Sequence, residues 1–227
     1  NSEALASDLE NKLQELEKHI DEQCLELRKV REETASKLEK LVEESLKDLA
    51  LPNARFSVKI SAKEASTPLG KDQVEFLFSA NRGEEVKPLA RIISGGEVSR
   101  VMLALKAILA RQDLISTLIF DEVDSGVGGV TIQAVAEKLA SLACYHQVMC
   151  VTHSPQIASM ADSHFYLYKE DVQERTITRA EALKPAKRRE ELARMLDGAA
   201  GIDQVSLQHV DNLLERAERF KANLLKN

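Results

Sequence analysis

Apolar residues in the first fifty positions recur at Ala6, Leu9, Leu13, Leu16, Ile20, Leu27 and Val30. They fit a heptad with 6, 13, 20 and 27 at a and 9, 16 and 30 at d, with Gln23 as the polar exception. No Gly or Pro interrupts the stretch, so the spacing predicts one long helix over 1–50. Beyond Val30 the register slips: Leu38, Leu41 and Leu46 leave the seam, which passes through Thr34. A four-residue stutter that locally unwinds a supercoil accounts for the slip. A helix this long and polar has little but another helix to bury its stripe against. The pattern therefore points to one strand of an antiparallel or intermolecular coiled coil, with an amphipathic helix on a globular core as the alternative. Leu51-Pro52-Asn53 ends it.

The period then changes. Ala54–Ser61 alternates apolar and polar residues, as a half-buried strand does, and Gln73–Ala80 reads as a second strand across a polar loop, 62–71. A helix from Ser94 to about Ala110 carries an apolar face at Val98, Val101, Met102, Leu105, Ile108 and Leu109. Thr117–Phe120 and Gln147–Thr152 are short apolar runs of the kind buried in parallel sheets. Helices are expected within 128–143 and over 154–161, strands over 165–168 and 175–180, and helices near 188–196 and over 203–225. The alternation gives an α/β layered domain over 51–227, with functional loops at strand ends.

Charge sharpens this division. The chain has 227 residues and a formal net charge of −6. Residues 1–50 hold 14 acidic and 8 basic side chains, which accounts for the whole imbalance, so 51–227 is neutral. Three widely spaced cysteines do not make a disulfide framework and fit a reducing cytosol. No run approaches the ~20 apolar residues of a membrane span. The first residue is Asn1 rather than Met, from which a piece of a longer polypeptide is expected.

Three motifs carry chemistry. Ser94-Gly95-Gly96-Glu97 places a helix N-cap, two glycines and an acid at the third helical position. That is a capping box, and it is also an anion seat where free backbone N–H groups meet a small hydroxyl. Asp121-Glu122 ends an apolar strand, where carboxylates suit a Mg²⁺ ion or a general base, or simply begin a solvated loop. His153 follows the next apolar strand, close to the carboxylates if the two strands are neighbours.

In this order the motifs resemble the ABC-type ATPases. Ser94-Gly-Gly-Glu97 is similar to their signature motif, and Leu118-Ile-Phe-Asp121-Glu122 to their Walker B strand. Asp124 falls at the D-loop position and His153 at that of the switch histidine. A coiled-coil arm entering such a head resembles the SMC/Rad50 branch. Asp121-Glu-Val-Asp-Ser-Gly-Val-Gly-Gly129, Lys87–Glu97, Val151–Ala158, Pro52–Phe56 and Glu191–Leu196 are similar to the members of that branch that repair bacterial DNA double-strand breaks.

The resemblance implies an arm segment (1–50) and the C-terminal lobe of an ABC-type head (51–227). It implies Asp121 on Mg²⁺, through water, and Glu122 as the base that polarises the attacking water. It implies His153 sensing the γ-phosphate, and Ser94, Gly95, Gly96 and Glu97 binding ATP held on a second protomer, with Asp124 lining the dimer interface. The implied partners are a Walker A lobe of the same protein, that second protomer and DNA, in the bacterial cytoplasm at the nucleoid and away from membranes. A phosphate loop, G-x-x-x-x-G-K-[ST], is missing: Gly70-Lys71 is followed by Asp72, and Ala65 stands where the first Gly should be. The chain alone is accordingly expected neither to bind ATP tightly nor to hydrolyse it.

Other readings compete. Cys144, His146, Cys150 and His153 could be drawn as a zinc set, but they lack paired C-x₂-C spacing. Ser94 or Ser125 with His153 could serve a hydrolase, but neither lies in G-x-S-x-G. A coiled-coil scaffold with an inactive head is the stronger rival. Lys184, Lys187, Arg188, Arg189 and Arg194 form a basic cluster that could meet DNA phosphates or be a solvated helix face.

Overall fold

The computed structural model describes residues 2–172, 175–198 and 203–224. In chain order the elements are α1 (Ser2–Asp48), β1 (Arg55–Thr67), β2 (Gly70–Ser79), β3 (Lys87–Pro88), a 3₁₀ turn at Leu89–Arg91, α2 (Gly95–Leu109), β4 (Thr117–Phe120) and α3 (Val130–Leu142). Then follow β5 (Gln147–Cys150), α4 (Pro155–Met160), β6 (Phe165–Val172), β7 (Arg175–Ala182), α5 (Pro185–Asp197) and α6 (Gln204–Leu224). Of the expected last helix, Leu225 lies outside the described residues. The chain divides into two compact units. One combines 1–44 with 53–92, the other 45–52 with 93–227.

In the first unit α1 carries the exposed seam, with Leu9, Leu13, Leu16, Ile20 and Val30 all open to solvent. Further along, Ala35 and Val42 are buried. Beside them β1, β2 and β3 form an antiparallel sheet in that order, with Phe56 opposite Phe78 and both buried. The edge strand β1 would present unpaired N–H groups. Two of them are satisfied from α1: Phe56 N–H donates to Glu43 Oε1 (3.1 Å) and Val58 N–H to Glu39 Oε1 (2.7 Å).

The expected polar loop 62–71 is instead the end of a hairpin, since β1 runs to Thr67 and β2 starts at Gly70. Its β1 side is exposed on both faces over 62–67, and on the β2 side the buried positions are Gly70 and Asp72, so the apolar period-2 signal that marks a half-buried strand is absent. What holds it is a clasp on α1. Arg28 and Arg31 both donate to the Asp72 carboxylate, whose side chain is 2% exposed, and Arg31 also reaches Leu69 O (2.7 Å). Lys71 pairs with Asp21. Gly70 has φ +90°, and a Cβ there would stand 3.0 Å from Leu27 Cδ2, so the turn approaches the helix only because no side chain intervenes.

The hydrogen bond from Arg28 above all, with that from Arg31, holds the Asp72 carboxyl below its ordinary range. A depressed carboxylate pKa contributes stability that is full above the unfolded value, roughly pH 4, and lost as pH falls through the folded one. Hydrogen exchange of hairpin amides 66–72 is therefore expected to stay slow from pH 7 to about pH 4 and to accelerate below it. Asp72→Asn should give the fast exchange already at neutral pH. Equal protection in the variant would show that the clasp holds nothing.

In the second unit β4 and β5 pair in parallel, Thr117 with Gln147 through Phe120 with Cys150. The strands are half-buried rather than wholly buried. Leu118 and Phe120 face the core, while Ile119, Met149 and Val151 are exposed. The helices α2, α3, α4, α5 and α6 pack on one another. Ala158, Leu192, Ala193 and Val210 form a cluster where α4, α5 and α6 meet. β6 and β7 make a separate antiparallel hairpin. No helix among the described residues is long and apolar enough to cross a membrane.

Candidate functional site

The parallel pairing of β4 and β5 makes the two strands neighbours. Because Val151 N–H donates to Phe120 O (2.9 Å), Asp121-Glu122 and the loop 151–154 leave the same edge together. Asp121, Glu122 and His153 are exposed there. Glu122 has φ +56°, a conformation costing a non-glycine residue about 1–2 kcal/mol. The turn is fastened by Ser125 N–H to Glu122 O (3.0 Å).

The N-terminus of α2 meets this turn. Ser94 occupies the N-cap, but its side chain makes no capping hydrogen bond, so the expected capping box is not formed. Ser94 is exposed, and its hydroxyl has no hydrogen-bond partner among the described residues. A Cβ on Gly95 would run into Glu122 Oε2, and one on Gly96 would stand 3.1 Å from Ser125 Cβ and 3.2 Å from the carbonyl oxygens of Glu122 and Ser125. Gly96 is thus required by close approach to backbone, whereas the neighbour of Gly95 is the end of a flexible side chain. Within the helix, Ser99 Oγ donates to Asp121 O (2.6 Å) and Arg100 Nη1 to Ser125 O (2.8 Å).

Asp124 joins the turn to the loop after β5. Its Oδ2 accepts from Thr152 Oγ1 (2.5 Å) and from His153 N–H (3.0 Å). Thr152 Oγ1 in turn accepts from Ser154 N–H (2.9 Å), and Ser154 caps α4 through Ile157 N–H. The backbone of His153 is thereby fixed while its imidazole is exposed.

All the site residues expected from sequence gather at this one edge. Thr152, Ser99 and Arg100 were not among them. Arg100 is one helical turn beyond Gly96, and a charged residue at that spacing from a required glycine is the signal that could have found it. The buried face of α2 is correspondingly rotated from the expected one: Gly96, Arg100, Val101, Leu103, Ala104 and Leu105 are buried, while Leu109 is exposed.

The zinc set does not assemble. The ring nitrogens of His146 face the carbonyls of Ile115 (2.6 Å) and Ala110 (3.1 Å). Burial, with the charges of Asp124 and Asp121 nearby, pushes the Cys150 thiol up to about 12. No group of three or more His, Cys, Asp or Glu able to hold a metal occurs among the described residues. The basic cluster is largely engaged: Lys187 pairs with Glu181, Arg189 with Asp211 and Arg194 with Glu191. Arg188 donates to the carbonyls of Ala158, Ser159 and Ala161.

No family model matches the chain. It is 39% identical over 219 residues to the DNA repair protein RecN of Halalkalibacterium halodurans, an alignment covering 95% of this chain and 39% of that protein. It is 47% identical over 184 residues to the DNA repair protein RecN of Treponema pallidum, covering 78% of this chain and 32% of that one. The chain thus spans about two fifths or less of the length of the relatives it matches. Among solved structures it is similar to the Smc head domain with a coiled coil and joint from Pyrococcus yayanosii. The TM-score is 0.50 at 20% identity, over 73% of this chain and 30% of that one, a likeness of fold alone.

Proposed function

Because the chain belongs with the RecN family of DNA repair proteins over the part of their length that it spans, we propose that it supplies the signature, base and switch groups of a split, SMC-like ATPase head acting in bacterial DNA double-strand-break repair. The observation that carries this reading is the convergence of the α2 N-terminus, Asp121-Glu122, Asp124 and His153 on one open edge. Phosphoryl transfer asks a protein chiefly for positioning and charge stabilisation, and these groups suit both. Glu122 polarises the attacking water and His153 reads the γ-phosphate. The exposed Ser94, with Gly95, Gly96 and Glu97, meets the γ-phosphate of ATP carried by a second protomer. Asp124 couples that interface to the switch loop.

The residues present fit Mg²⁺ in a limited way. Asp121 and Glu122 are exposed, and neither carboxylate is engaged by another described side chain. Mg²⁺ typically takes one or two carboxylates beside waters and phosphate oxygens rather than an all-protein cage. Asp121 would hold it through water, and the ion would neutralise phosphate charge. ATP itself needs a phosphate loop. Gly70-Lys71 cannot serve, since Gly70 closes the hairpin turn and Lys71 is paired with Asp21.

In this reading 1–50 is part of the arm and 51–227 is one lobe of the head. The exposed seam of α1 suits a second arm helix, and the exposed Ile119, Met149 and Val151 suit cover by a Walker A lobe of the same protein. DNA is the substrate on which the whole machine works, in the cytoplasm. The test is the full-length protein. ATP should drive association of its heads, measured by sedimentation, and Ser94→Arg should abolish it by placing a bulky cation in the phosphate seat. Association indifferent to ATP would favour the scaffold. This chain alone should show no Glu122-dependent ATP turnover.

A further inference from the structure

We infer that Arg100 is a positioning residue that holds the turn 121–125, and through Asp124 the loop of His153, in register with the N-terminus of α2. The inference rests on the ATPase reading, because it assigns Arg100 a part in that site's coupling.

Arg100 is 6% exposed, and its Nη1 bonds Ser125 O. Its Nε is buried and has no hydrogen-bond partner among the described residues. The side chain forms no ion pair there, and burial lowers the guanidinium's affinity for its proton, which the charge of Glu97 only partly offsets. A buried cation without a bound carboxylate is costly, and an apolar side chain of similar volume would pack at less cost. What an apolar side chain could not do is hold a carbonyl of the turn. Ser99 grips the same turn at Asp121 O, so two adjacent residues of α2 fasten both of its ends. Glu122 and Asp124 lie between those grips. Asp124 then passes the constraint to Thr152 Oγ1 and His153 N–H. A phosphate that shifts the start of α2 would therefore move the base and the switch loop together.

The experiment uses the full-length protein. In Arg100→Met without nucleotide, exchange at amides 123–127 and 152–154 should rise about tenfold or more while β4 and β5 amides stay as in wild type. ATP turnover should fall about tenfold, with KM for ATP within about twofold, since orientation rather than binding is lost. Arg100→Lys, which keeps a donor near the carbonyl, should recover most of the protection. Arg100→Met combined with Asp124→Asn should be no slower than Asp124→Asn alone, because both act through one path. Wild-type exchange at those amides in Arg100→Met, or multiplicative losses in the double variant, would overturn the assignment. If Arg100→Met does not unfold cooperatively, Arg100→Gln, too short to reach Ser125 O, takes its place under the same criterion. Should the wild-type protein fail to hydrolyse ATP, the ATPase reading falls, and the exchange experiment still decides the role of Arg100.

Discussion

Glu122→Gln in the full-length protein is expected to lower ATP turnover by about 10²–10⁴-fold while leaving ATP binding and ATP-driven head association intact. The substitution keeps the size and shape of a side chain that is exposed and close to Gly95. It removes only the capacity to accept a proton. The backbone argument points the same way. Glu122 occupies the left-handed region, where a non-glycine residue is strained, and its surroundings hold it there through the Ser125 bond and the grips on Asp121 and Ser125. Strain of this kind persists where the structure over-determines it, often beside chemistry. Single-turnover hydrolysis alongside sedimentation in ATP separates the two effects. A variant that turns over within about threefold of wild type would remove Glu122 from the base role, on the usual size of general-base effects.

Much of this was legible in the sequence, for physical reasons that differ by region. The long helix was readable because nothing in 2–48 breaks it and the heptad dominates its first thirty positions. The β4–α3–β5 unit was readable from two short apolar runs flanking an amphipathic stretch. The hairpin tip was not, because its order comes from the Arg28–Asp72–Arg31 clasp between residues far apart in sequence. The exposure of Ile119 and Met149 was missed for a related reason: an apolar run states that a strand will be covered, not by which chain segment. At the site the motif residues were each visible, whereas their linkage was not. The resemblance implies Asp124 as an interface residue, and only the fold reveals that its carboxylate is bonded to the loop of His153.

The two glycines at the start of α2 should respond differently to the same added methyl group. At Gly95 a Cβ meets only the Glu122 carboxylate, the far end of a flexible side chain that can swing away. Gly95→Ala should therefore fold with stability within about 0.5 kcal/mol of wild type, as changes lacking a core or backbone conflict usually do. Turnover should nevertheless fall, because the displaced group is the proposed base. At Gly96 the Cβ meets Ser125 Cβ at 3.1 Å and two carbonyl oxygens at 3.2 Å, so backbone must give. Overpacking of this kind costs about 1–3 kcal/mol, and the better helix propensity of Ala returns at most about 1 kcal/mol. Gly96→Ala should thus lower the urea midpoint of the head without changing the m-value, whereas Gly95→Ala should not. It should also loosen the bonds from Asp124 to Thr152 and His153, since the turn it pushes is the one that carries Asp124. Equal midpoints for the two variants would mean that the turn 121–125 yields freely, and the coupling drawn from α2 to His153 would then lack the stiffness it needs.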